Sequence, residues 1–207
     1  VYVGVMMGSD DPADQARVSL LTPLVKSYLS ERGCENISHC MQVLGGAGYV
    51  KDWHIEQYYR DARISMIYEG TNGIQALDLV GRKLVKDGGA ALRSLLLDMK
   101  KLAESCEDKP FSEALLGVVG DVEDASKWLL GHGMQDPEEA CAVASAYLQL
   151  LSYAVLAMMW VKMLQIADED ERDIGLYYIH HVLPDAKRCL ALVHCGKQYI
   201  TRPDAED

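Results

Sequence analysis

The sequence is poor in the residues and patterns that are typical of β-sheets. It has one phenylalanine and six prolines in 207 residues, and no alternation of apolar and polar residues persists long enough to predict a strand. Ala, Leu, Met and Lys are plentiful instead, and these residues favour helices. We therefore expect an all-α fold, with an up-and-down helical bundle followed by a second helical bundle.

Clustered positive charge is also missing. The chain has 20 Lys and Arg residues against 31 Asp and Glu residues, which gives a net charge of −11. Residues 1–88 contain nine of the basic and eleven of the acidic residues, so most of the excess negative charge follows Gly88. Nucleic acids and anionic membranes are bound by clusters of Lys and Arg, so we expect neither as a partner. A role on damaged DNA fits this charge poorly.

The six cysteines show no Cys-x-x-Cys pair and no zinc-like spacing with histidine. We interpret them as reduced core or surface thiols of an intracellular protein, and we predict no metal site. The longest apolar run, residues 150–161, is shorter than the about 20 residues that cross a bilayer. The opening stretch VYVGVMM is typical of the end of an element that begins upstream, so we expect a fragment of a longer protein.

Helix signals divide the chain at Asp87-Gly88-Gly89 into two sections, which we predict to be domains 1–88 and 89–207. In the first section, a helix begins near Ser9 with Pro12 in its first turn, and Gly33 is its predicted end. Pro23 predicts a kink or a break within it. Further helices are predicted at about 36–44 and 52–62, and after Thr71, which can cap a helix.

The second section contains four helical patterns. They cover about 89–107, 111–131, 137–168 and 171–200, and Pro184 divides the last one. Residues 137–168 are apolar nearly all round, so this helix should be the most buried one of the second bundle.

Two glycine-containing turns are candidates for a functional role. In QVLGGAGY, residues 42–49, the glycines leave backbone amides open, so that a phosphate or an adenine could approach them. An ordinary helix end explains the same residues. Glu69-Gly70-Thr71 is the second turn. Its carboxylate either complements the dipole of the next helix or acts as a general base that Ile67 and Tyr68 partly shield from water.

The whole stretch from Gln42 to Leu84 resembles the C-terminal signature of the acyl-CoA dehydrogenase family. The resemblance rests on Gln-x-x-Gly-Gly-x-Gly-Tyr, then Arg60-Asp61-Ala62, then Ile-Tyr-Glu-Gly-Thr at the family's interval. Residues 12–88 resemble the C-terminal helical bundle of that family. Residues 89–207 resemble the additional helical domain of a longer branch, which includes enzymes similar to 3-methylthiopropanoyl-CoA dehydrogenase.

This resemblance implies a role for each matching residue. Glu69 matches the catalytic base that removes the α-proton of an acyl-CoA thioester, and the β-hydrogen leaves as hydride to FAD. Gly70 matches the position that lets the thioester lie against the backbone. The residues that match contacts of FAD are Gln42, Gly45, Gly46, Thr71 and Gly73.

The chain departs from the family's pattern at two positions. Gly73 stands where many members have Gln or Glu, so only a backbone contact with the cofactor remains there. Gln57 stands where Lys or Arg is common. We interpret Arg60 and Arg63 as structural residues that pair with carboxylates such as Asp61 or Glu56.

Nothing in the sequence resembles the family's N-terminal helical domain or its middle β domain. We therefore expect the chain to supply the base and part of the FAD site, and to be inactive by itself. The resemblance also implies an electron-transfer flavoprotein as electron acceptor and a homo-oligomeric assembly. The alternative is a helical module without catalytic activity that serves oligomerisation or docking of a partner.

Overall fold

The computed structural model describes residues 2–133, 135–198 and 200, and contains helices and short turns without a strand in that part of the chain. The predicted all-α fold is confirmed. The α-helices, in chain order, are α1 (Tyr2–Met6), α2 (Pro12–Leu44), α3 (Gly46–Tyr49), α4 (Ile55–Ile64), α5 (Asn72–Asp78), α6 (Ala90–Glu104), α7 (Lys109–Gly133), α8 (Pro137–Met163), α9 (Glu169–Tyr177) and α10 (Asp185–Cys195). A 3₁₀ segment covers Lys51–Trp53, and π-helical segments cover Leu79–Lys83 and Tyr178–Val182.

Helix α2 begins as the sequence predicts but continues further. The Asp11 side chain caps it by accepting a 2.8 Å hydrogen bond from the Ala13 amide, and Pro12 lies in the first turn. The prediction that Gly33 ends the helix is wrong, because α2 runs on to Leu44. The helix also passes Pro23 without the predicted break. Glycine costs about 1 kcal/mol and proline about 3 kcal/mol inside a helix. Packing of α3, α4 and α5 along α2 offsets these costs.

The helix predicted at 52–62 is divided into two pieces. His54 has a φ of 58° and separates the 3₁₀ segment from α4. A left-handed residue cannot continue a right-handed helix, so α4 begins only at Ile55. Within α4, Arg60 pairs with Glu56 at 2.5 Å, as the sequence predicts. Arg63 is exposed and forms no ion pair among the described residues.

The second section follows the predicted pattern closely. Asp87 accepts hydrogen bonds from the amides of Gly89, Ala90 and Ala91 and so starts α6. Helix α8 packs against α7 and α10 and has more buried residues than any other described helix of the second section, which confirms its predicted buried character, although it ends at Met163 and not at 168. By length and composition α8 could cross a membrane, but 61% of its most apolar 18-residue stretch is buried inside the protein.

The apolar core is continuous across the turn at Gly88. Helix α8 packs on α2, on α5 and on the π-helical segment after α5. Leu20 and Leu79 from the first section therefore belong to the same buried cluster as Leu150 from the second. Helices α2 and α5, in or next to which the candidate site residues lie, are therefore packed against the most buried helix of the second section.

Candidate functional site

The backbone turns sharply at Glu69 and Gly70. Glu69 has a φ of 54° and Gly70 a φ of 84°, so two consecutive residues adopt conformations with positive φ. Glycine accepts such angles readily, whereas a residue with a Cβ is destabilised there by roughly 1–2 kcal/mol. Among the described residues, only Glu69 and His54 carry a side chain at positive φ. A strained residue of this kind is typical of functional sites.

The first turn of α5 holds this bend in place. Thr71 caps α5, as the sequence predicts, because its Oγ1 accepts a 3.4 Å hydrogen bond from the Ile74 amide. The Gln75 side chain reaches back and donates a 3.1 Å hydrogen bond from Nε2 to the Glu69 carbonyl oxygen. A Cβ on Gly70 would lie 3.2 Å from that Gln75 nitrogen, so the turn also leaves little room for a side chain.

The Glu69 backbone amide and carboxylate are both open to a ligand. Within the part of the chain that the structure describes, the Glu69 N–H donates to no protein group. The carboxylate is exposed, and its neighbours Ile67 and Tyr68 are 47% and 52% exposed. The partial shielding that we expected from these two side chains is therefore not provided by this chain alone.

The second candidate turn lies at the end of α2. Gly45 has a φ of 58° and donates a 3.2 Å hydrogen bond to the Gln42 carbonyl oxygen, which ends the helix. Gly48, which we did not single out, is buried, and a Cβ there would lie 2.7 Å from the Met41 carbonyl oxygen. Gly48 is therefore needed for packing. Its place in the QVLGGAGY motif is the sequence signal that could have predicted this role.

Gly46 and Gly73 have no such internal reason to be glycine. Neither has a positive φ, and a Cβ on either residue would meet no heavy atom within 4 Å. The same is true of the space around Gly45, whose φ alone favours glycine. Gln42 is exposed beside this turn. An open turn without side chains fits a flat or phosphate-bearing group that approaches the backbone, and FAD has both kinds of surface.

The two turns are not brought together. Asn72 hydrogen bonds Ser30 in the middle of α2, whereas Gln42 lies at its end. At 1.5 Å per residue, the twelve residues from Ser30 to Gln42 correspond to about 18 Å along the helix. Glu69, Gly70, Thr71 and Gly73 therefore form one cluster, and Gln42, Gly45 and Gly46 form another.

Sequence reasoning overlooked Asn72, whose side chain connects the Glu69 turn to α2. An asparagine directly after the cap offered no distinct signal, because its partners are more than 40 positions away in the chain.

The remaining polar clusters do not add a catalytic group to either turn. The described residues contain no group of three or more His, Cys, Asp or Glu that could hold a metal ion, and all six cysteines are free. A cavity of about 340 Å³ lies between the ends of α6 and α8, where Arg172 pairs with Asp108 at 2.7 Å. Neither turn lines this cavity.

Comparison with protein families agrees with the motif. Residues 5–84 match the model described as acyl-CoA dehydrogenase, C-terminal domain, and residues 95–202 match the model described as acetyl-CoA dehydrogenase C-terminal like. The second match alone spans more than half of the chain. The chain belongs to the acyl-CoA dehydrogenase family. The resemblance seen in the sequence is confirmed, including that of residues after Gly88 to the additional C-terminal region.

Curated relatives match part of the chain. The 3-methylmercaptopropionyl-CoA dehydrogenase of Ruegeria pomeroyi is 48% identical over 79 residues, which are 38% of this chain and 13% of the relative. The broad-specificity linear acyl-CoA dehydrogenase FadE5 of Mycobacterium tuberculosis is 42% identical over 86 residues, 42% of this chain and 14% of the relative. The matched part is thus a small fraction of the length of these members of the acyl-CoA dehydrogenase family.

A solved structure shows the same fold. Caenorhabditis elegans ACDH-11, solved in complex with C11-CoA, superposes with a TM-score of 0.68 over 84% of this chain and 30% of that chain. The sequence identity is 19%, so this likeness concerns the fold alone. Because the superposition covers most of our chain, it includes helices from both of its sections.

Proposed function

We propose that this chain is the base-bearing C-terminal part of an FAD-dependent acyl-CoA dehydrogenase that introduces an α,β double bond into an acyl-CoA thioester. The observation that carries the proposal is the turn at Glu69 and Gly70. Glu69 has a φ of 54°, and its own backbone amide donates to no described protein group. It stands at the position that matches the family's base. A purely structural turn would be more stable with glycine at that position.

Glu69 has two tasks in this proposal. Its carboxylate accepts the α-proton, while its backbone N–H donates a hydrogen bond to the thioester oxygen, where negative charge develops as that proton leaves. The electron pair of the broken C–H bond forms the double bond as the β-hydrogen departs with its own pair. FAD, when bound, supplies the acceptor for that hydride. Gly70 keeps side-chain atoms out of the path of the thioester.

The residues proposed to hold FAD belong to the two clusters along α2. Gly45, Gly46 and Gln42 would receive a flat or phosphate-bearing part of the cofactor at the end of the helix. Thr71 and Gly73 would contact FAD beside Glu69. The two clusters lie beside positions of α2 that are about 18 Å apart along the helix, which suits an extended cofactor, or two cofactors bound to neighbouring subunits of a homo-oligomer.

The chain alone lacks the enclosure that the chemistry needs. Glu69 is exposed, and water competes for both its amide and its carboxylate. We expect the purified 207-residue chain to fold but not to oxidise acyl-CoA, and to need the remainder of the enzyme for that. In the complete enzyme, an electron-transfer flavoprotein is the proposed acceptor of the electrons, in the bacterial cytoplasm or the mitochondrial matrix.

The argument for the alternative, a docking module without catalytic activity, was the apolar surface of residues 137–168. That surface is largely buried in the core, so it no longer favours docking. Homo-oligomerisation of the complete enzyme stays a prediction, and size-exclusion chromatography across protein concentrations tests it.

Substitution of Glu69 tests the proposed reaction. In the complete polypeptide, Glu69→Gln should retain FAD and lose acyl-CoA oxidation by at least about a thousandfold, because the amide cannot accept the proton. The matched control is Glu104→Gln, which changes an exposed carboxylate at the end of α6. It should leave the rate unchanged. Retained activity in Glu69→Gln would show that another group is the base.

Substitution of Gly46 tests the proposed cofactor contact separately. The chain itself has room for a Cβ there, so Gly46→Ala should not lower the thermal stability of the chain. In the complete enzyme the same change should weaken FAD binding about tenfold or more, which corresponds to about 1.4 kcal/mol. Gly33→Ala, at another helical glycine with free space, is the control. Unchanged FAD affinity in Gly46→Ala would exclude close contact at this residue.

A further inference from the structure

The Asn72 side chain uses both ends of its amide to bind α2. Its Oδ1 accepts hydrogen bonds from Lys26 Nζ at 2.8 Å and from Ser30 Oγ at 3.3 Å. Its Nδ2 lies 3.1 Å from Glu31 Oε1 and 3.2 Å from both the Ser27 carbonyl oxygen and Ser30 Oγ. Lys26 can only donate and the Glu31 carboxylate can only accept, so the orientation of the amide is determined by its partners.

The Asn72 contact joins α5 to α2, directly next to the strained turn at Glu69. Asn72 is the first residue of α5 and follows Glu69 by three positions. Its amide N–H also donates a 3.2 Å hydrogen bond to the Met66 carbonyl oxygen, on the other side of the turn. The turn is thus fastened to the start of α5, and the Asn72 side chain fastens that start to α2.

The character of the contact suits exact positioning. Two of its partners, Lys26 and Glu31, are charged, and hydrogen bonds to charged groups are shorter and stronger than neutral ones. The surroundings are half-buried, and Ser27 is only 3% exposed, so water competes weakly for these groups. An apolar side chain in this place would fill the space without determining the direction of the turn.

We propose that Asn72 is a positioning residue, which fixes the turn of Glu69 relative to α2. Lys26 and Glu31, which bond the Asn72 side chain, thereby help to determine where Glu69 stands. The inference rests on the proposed function of Glu69 as base. Asn72 itself touches no reacting atom, and its effect is on where the Glu69 carboxylate and amide stand.

Kinetics of the complete enzyme test this role. Asn72→Ala should lower kcat about 10- to 100-fold, because displacement of a catalytic group by about 1 Å has effects of this size. KM for acyl-CoA and FAD content should stay within about threefold, because neither binding contact is removed. The control is Asn36→Ala, an exposed asparagine of α2 whose side chain makes no hydrogen bond among the described residues. An unchanged kcat in Asn72→Ala would overturn the inference.

A compensating pair separates positioning from general stability. Asn72→Asp keeps the acceptor for Lys26 but sets a carboxylate 3.1 Å from Glu31, so it should lower kcat as Asn72→Ala does. Adding Glu31→Gln restores a donor opposite the new carboxylate and should recover most of the lost rate. Equal impairment of the single and the double variant would contradict the proposal.

Hydrogen exchange of the 207-residue chain tests the positional part without any activity. Asn72→Ala should speed exchange of residues 66–75 about threefold or more and leave α8 unchanged, because only the local opening of the turn becomes easier. Unchanged exchange in this segment would overturn the inference whatever the enzyme does. Activity retained in Glu69→Gln together with faster exchange would instead refute the proposed function and keep the positional finding.

Discussion

The Gln75 side chain donates a 3.1 Å hydrogen bond from Nε2 to the carbonyl oxygen of Glu69, six residues earlier in the chain. This bond connects the first turn of α5 to a residue whose φ of 54° is less favourable for glutamate than for glycine. The structure therefore stabilises a strained carboxylate residue with a dedicated polar contact, and this is the relationship on which the proposed function depends.

The strain at Glu69 predicts a stability gain from its removal. Glu69→Gly should raise the free energy of unfolding of the chain by roughly 0.5–1 kcal/mol, because glycine tolerates the positive φ and its larger entropy loss offsets only part of the benefit. The Glu69 carboxylate makes no hydrogen bond among the described residues, so little is lost with it. Thermal or denaturant unfolding measures the difference.

Glu113→Gly provides the comparison, because Glu113 is exposed inside α7. This change should lower the free energy of unfolding by about 1 kcal/mol, as expected for a glycine in a helix. Equal losses in both variants would show that Glu69 is not strained.

The unbroken course of α2 predicts opposite effects at two glycines. Gly33→Ala should raise the free energy of unfolding by about 0.4–1 kcal/mol, because the position is helical and a Cβ meets no atom within 4 Å. Gly45→Ala should lower it by roughly 1–2 kcal/mol, because Gly45 has a φ of 58°. A lower stability of Gly33→Ala would contradict the helical conformation of α2 at Gly33. Chemical denaturation of both variants distinguishes these outcomes.

These glycines show what sequence patterns could predict. Local signals were sufficient for Pro12 in the first turn of α2, the cap at Thr71 and the buried character of α8, because each depends on neighbours in the chain. The same local rule failed at Gly33, where packing of distant helices along α2 outweighs the preference of glycine for helix ends. The motif offers Glu69 as a candidate base, whereas the bonds of Asn72 to α2 arise only from the tertiary fold.

Buried tyrosines predict a loss of stability at high pH. Tyr147 in α8 is fully buried, and its hydroxyl shares a 2.7 Å hydrogen bond with Ser126. Burial raises the pKa of Tyr147 to about 12, and the bond to Ser126 offsets this only in part. Because the unfolded chain ionises this group near pH 10, the folded state loses stability as the pH rises from about 10 to about 12.

Tyr147→Phe should therefore flatten the decrease in stability over that pH range. At neutral pH it should cost about 1 kcal/mol, because the hydrogen bond to Ser126 is lost. Tyr49→Phe is the control, since Tyr49 is 78% exposed. Circular dichroism of unfolding at several pH values measures both effects, and an unaltered alkaline profile in Tyr147→Phe would show that this residue does not contribute.

The most direct test of the central claim measures the proton removal itself. In single-turnover reduction of FAD by acyl-CoA, the complete enzyme should show a primary isotope effect when the α-carbon carries deuterium, because in the proposed reaction Glu69 removes that proton in the same step. Glu69→Gln, loaded with the same amount of FAD, should show no reduction on the same timescale. Reduction of FAD in Glu69→Gln with an undiminished α-deuterium effect would contradict the account, because a different group would then be the base.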